Sequence, residues 1–130
     1  MKYLNTLMIL TITAGLMLFG CSGSTEPEVH QAPEVTLSTN PATITAGVEV
    51  EIELTVEDHD GNHMGGLTMT GEIHLPNDAG EVDLDFHAST DDEGHYHAEY
   101  TFAIAGTYVL HSSFMHTREN VENHFGIVVQ

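Results

Sequence analysis

Beyond residue 33 the chain alternates apolar and polar positions one by one, the period of a β-strand with one dry face and one wet face. Val48, Val50, Ile52, Leu54 and Val56 interleave with Glu49, Glu51, Glu53 and Thr55. Val82, Leu84 and Phe86 interleave with Asp83, Asp85 and His87, and Tyr96, Ala98, Tyr100 and Phe102 with His95, His97, Glu99 and Thr101. Residues 67–75, 107–115 and 121–129 are less regular but rich in β-branched and aromatic side chains, and 34–39 makes a short first strand. Turn-forming residues separate these runs at Asn40-Pro41, Asp60-Gly61, Pro76-Asn77-Asp78, residues 91–94, Ala105-Gly106 and residues 117–120. No run has helical periodicity. The pattern predicts an all-β domain, a seven-stranded immunoglobulin-like antiparallel β-sandwich. Ala105-Gly106-Thr107-Tyr108 has the form of a tyrosine corner, in which the phenol of Tyr108 ties a strand start to the turn before it.

The beginning of the chain reads differently. Met1-Lys2 gives a short basic start, residues 4–19 are mostly apolar, and Leu18-Phe19-Gly20-Cys21 resembles a bacterial lipobox. Asn5, Thr6, Thr11 and Thr13 interrupt the apolar run, which fits a cleaved lipoprotein signal peptide over 1–20 better than a spanning helix. Cys21 is then the lipidated first residue of the mature chain. Residues 21–33, small, polar and punctuated by proline, form a flexible tether, and 34–130 form the single domain. This arrangement predicts a lipid-anchored, extracytoplasmic protein of the cell envelope, at the outer membrane and periplasm or on the outer face of the cell membrane. The only cysteine is used by the anchor, so neither a disulfide nor a thiolate metal site is expected.

Charge narrows the partners. All 20 acidic residues lie beyond residue 20, where Arg118 is the only strong base, so the mature chain is formally −19. Such a surface repels nucleic acid and attracts cations. Most of these carboxylates serve solubility; the histidines are more informative.

There are ten histidines. In a seven-stranded sandwich of this kind the loops after the second, fourth and sixth strands meet at one pole. Those loops hold His59, His63, Met64, His95, Met115 and His116, with His87 and His97 on adjoining strand ends, while the opposite loops hold neither histidine nor methionine. Imidazole binds copper and zinc, and thioether sulfur favours copper(I). His63, Met64, His95 and His116 are therefore the first metal ligands expected, followed by His59, His87, His97 and Met115. Met69 has the parity of the core residues Ile73 and Leu75 and is expected inside. A second group, His111 and His124 roughly opposite in the last hairpin with His74 on a neighbouring strand, would lie on a flat sheet where convergence is harder.

Several short motifs carry a family resemblance. Pro41-Ala42 and Thr45-Ala46-Gly47 precede the long alternating strand, Val56-Glu57-Asp58 and Gly61 follow it, and Gly94-His95-Tyr96 and Ala105-Gly106-Thr107-Tyr108 open later strands. On these residues 33–129 resemble the YtkA-like/FixH-like family of extracytoplasmic β-sandwich proteins, with His63-Met64-Gly65-Gly66 in the place of that family's methionine-glycine segment. The resemblance implies copper handling and maturation of respiratory oxidases. The expectation is a non-catalytic protein that captures copper, or after it zinc, and passes it to a protein acceptor. The alternative is a structural or protein-interaction module with incidental surface histidines. Hydrolysis ranks below both, because no serine stands in a nucleophile-elbow pattern.

Overall fold

The computed structural model describes residues 31–90 and 93–130. The signal segment, Cys21, most of the tether with His30, and Asp91 and Asp92 lie outside the described residues. Among the described residues no helix is long and apolar enough to cross a membrane.

The described residues form eight strands in order: β1 Glu34–Asn40, β2 Glu49–Glu57, β3 Thr70–His74, β4 Glu81–Asp85, β5 His87–Ala88, β6 His95–Thr101, β7 Gly106–His116 and β8 Glu119–Val129. They form two four-stranded antiparallel sheets, β1-β2-β6-β5 and β4-β3-β7-β8. The core draws on both. Val50, Ile52, Leu54, Val56, Tyr96 and Ala98 come from the first sheet, and Ile73, Leu84, Tyr108, Leu110, Phe114, Ile127 and Val129 from the second. Alternation along each strand turns the intervening acids and histidines outward, giving a sandwich-like all-β body. Met69 is buried in this core, in keeping with its parity.

The seven expected strands become eight at residues 82–87. Glu81–Asp85 pairs with β3 in the second sheet, whereas His87–Ala88 pairs with β6 in the first. The residue between them, Phe86, is buried, and its ring occupies the space over Gly71: a Cβ at Gly71 would lie 2.5 Å from Phe86 Cε2. A strand that crosses between sheets keeps its inward and outward parity, so period-two alternation runs unbroken through the change of partner.

Tyr108 Oη donates a 2.8 Å hydrogen bond to the Ile104 carbonyl, the link expected of the corner motif. The β7–β8 hairpin closes more tightly than residues 117–120 had indicated. Its turn is Thr117-Arg118, both at positive φ (46° and 75°), and Glu119 already pairs with His116. Two consecutive left-handed residues match the twist of the flanking strands, even without the Asn-Gly pair that usually signals such a turn.

Candidate metal centre

The strand registers carry a band of titratable side chains across the outer face of the second sheet. Asp83 of β4 stands opposite Glu72 of β3, Glu72 opposite His111 of β7, and His111 opposite His124 of β8. His74, two residues from Glu72, shares its face. Among the described residues Glu72, His74 and His111 form a group whose ligand atoms all lie within 4.8 Å of one another. Metal–nitrogen bonds of about 2.0 Å place tetrahedral donors roughly 3.3 Å apart, so the group as it stands is wider than a closed site and its donors would have to draw together to share one ion.

The immediate contacts fit that use. His74 Nε2 lies 2.7 Å from Glu72 Oε1. The His111 and His124 rings lie 4.1 Å apart between centroids, tilted at 38°, and the His74 ring is 6.3 Å from that of His111. His111 Nε2 is buried without a hydrogen-bond partner among the described residues, and it stands 3.8 Å from Glu122 Oε2. A buried polar atom without a partner costs about 1–3 kcal/mol, and a cation at this nitrogen removes that cost. The side chains of His74, Glu72 and His111 are 44%, 31% and 29% exposed, open enough for an ion to enter and held enough to have defined positions. Beside them a surface cleft of about 390 Å³ has His74, Pro76, Thr107, Val109 and His124 among its lining residues, so His124 borders the same space as His74.

The residues expected at the pole divide. His63 and His95 do meet, with ring centroids 4.9 Å apart at 78°. His97 lies on the outer face of the first sheet opposite His87, with Nδ1 3.0 Å from Glu51 Oε1 and Nε2 3.4 Å from Glu53 Oε2. His87 is exposed at the sheet edge. His59 is exposed and its Nε2 is 3.3 Å from Asp60 Oδ2 in its own loop. Met64 packs partly against the core, and its carbonyl accepts a 2.7 Å hydrogen bond from Tyr96 Oη. Met115 is 60% exposed opposite Asn120, and His116 is half-buried opposite Glu119 at the end of the hairpin. The three-donor group thus stands on the sheet face that the sequence had ranked second. Glu72 was missed, although its position two residues before His74 on a strand already gave it the same face.

The loop after β2 is held by Asp58. Its Oδ1 accepts hydrogen bonds from the backbone N–H groups of Asp60 and Asn62, both at 2.9 Å, and its Oδ2 accepts from Asn62 Nδ2 at 3.0 Å. The side-chain and backbone donors of Asn62 lower the Asp58 pKa below its ordinary value and outweigh desolvation, which raises it; the N–H of Asp60 and the charge of His59 add lesser lowering effects.

No protein-family model matches the chain, and no curated protein matches it.

Proposed function

We propose that this chain is a lipid-anchored, non-catalytic protein of the cell envelope that captures copper, with zinc as the second candidate, and passes it to a protein acceptor. The observation that carries the reading is the convergence of Glu72, His74 and His111 within 4.8 Å. Two imidazoles and a carboxylate, without sulfur, suit copper(II) and zinc(II) rather than copper(I), and copper(II) binds such donors more tightly. The acid-rich surface draws cations toward the face, and partly exposed ligands favour release to a second protein over storage. The resemblance to YtkA-like/FixH-like domains supports copper over zinc. The strand order β1-β2-β6-β5 and β4-β3-β7-β8, with the Tyr108 corner, supports an immunoglobulin-like sandwich as the scaffold.

Imidazole NMR signals test the assignment, because copper(II) broadens nuclei near it. Substoichiometric copper(II) added to the full-length protein is expected to broaden His74 and His111 before the other histidines, and the joint substitution of Glu72, His74 and His111 by alanine abolishes preferential binding there. Even broadening across every exposed histidine would mean loose association with a histidine-rich surface.

A further inference from the structure

The first sheet carries a second meeting of imidazoles that shares no residue with Glu72, His74 and His111. His63 comes from the loop after β2 and His95 from the first position of β6, and their rings meet edge to face at 4.9 Å. Backbone contacts fix the encounter. Met64 N–H donates to the Val56 carbonyl at 2.9 Å, Val56 N–H donates to the Gly94 carbonyl at 2.8 Å, and Glu57 bridges His63. Gly94 has φ +84°, and a Cβ there would lie 2.7 Å from His63 Cβ, so the glycine is what lets His63 lie across the start of β6.

Carboxylates orient both rings. His63 Nε2 stands 3.2 Å from Glu57 Oε1, and His95 Nδ1 stands 3.4 Å from Glu53 Oε1. Thr55 Oγ1 lies 3.3 Å from the same His95 nitrogen. The other oxygen of Glu53 is 3.4 Å from His97 Nε2, so one carboxylate spans two histidines of β6. Metal-binding histidines usually turn one ring nitrogen to a carboxylate or carbonyl, which sets the tautomer and raises the basicity of the ligating nitrogen. The arrangement around His63 and His95 has this form, on a loop and a strand that the backbone holds in register.

We infer that His63 and His95 constitute a second site for a divalent cation of the copper(II) or zinc(II) class, with Glu57 and Glu53 as orienting carboxylates. The domain then takes two ions, one on the outer face of each sheet. Having two protein nitrogens, the second site binds more weakly than the first and fills after it.

Zinc(II) alone, titrated into the full-length protein by calorimetry with native mass spectrometry as the count, distinguishes the two sites. The unmodified protein is expected to take two equivalents, H63A/H95A one and H74A/H111A one. A count that H63A/H95A leaves unchanged overturns the second site. A count that falls with H63A/H95A but not with H74A/H111A keeps this inference and removes the reading of the Glu72 face instead. Circular dichroism checks folding of each variant. H63Q, a change confined to the loop, serves the same purpose should the double variant misfold: it is expected to lower the weaker affinity at least tenfold, and an unchanged weaker affinity overturns the proposal.

Discussion

At Gly94 three constraints coincide: a left-handed backbone, the His63 side chain at 2.7 Å from any added Cβ, and the Met64 nitrogen and Val56 oxygen at 2.8 and 3.0 Å. Two of the three neighbours are backbone atoms and cannot rotate away. Gly94→Ala is therefore expected to destabilise the domain by about 2 kcal/mol, combining the left-handed penalty with the clash, and to separate His63 from His95. Urea unfolding measures the first effect, and a loss below about 0.5 kcal/mol would contradict the packing described. The same scale shows what sequence could reveal. Tyr108 was legible because a glycine turn before an aromatic strand start has one common geometry. His74 and His111 were legible as neighbours on one sheet face, but Glu72 was not, because its place opposite His111 depends on pairing between β3 and β7, separated by three intervening strands, and parity gives a face without giving a register.

Among the elements, the β7–β8 hairpin was the most readable, since a short polar turn between two apolar runs leaves few registers, and His111 does face His124. The strand at residues 82–87 was the least readable, because Phe86 carries the chain from one sheet to the other without a break in alternation. The loop after β2 depends on ionised Asp58. With its pKa lowered by the donors of Asn62, the contribution of the carboxylate is complete above the ordinary aspartate range and is lost as pH falls through the depressed value. An NMR pH titration that follows the Asn62 amide is expected to show the loop intact through mild acid, opening with a midpoint below the ordinary aspartate pKa. A midpoint at or above that value would contradict the hydrogen bonding of the loop.

Across the whole molecule, alternation turned the acids and the strand histidines of the described residues outward, so the polar character of the two outer faces was legible in the period of the sequence. The pole was legible in part: His63 and His95 meet there, but its methionines do not join a common donor group, Met64 packing partly inward and Met115 standing exposed. A ligand that binds only the folded state stabilises it by about 2.7 kcal/mol at one hundred times its dissociation constant. Zinc(II) at that excess is expected to raise the unfolding midpoint of the full-length protein, and much less in H74A/H111A; equal shifts in the two would place the ion elsewhere. The central claim is the identity of the donors on the second sheet, and electron paramagnetic resonance of one equivalent of copper(II) bound to the H63A/H95A protein addresses it most directly. The account predicts hyperfine structure from at least two imidazole nitrogens that disappears when His74 and His111 are also replaced; a spectrum unchanged by those replacements would contradict it.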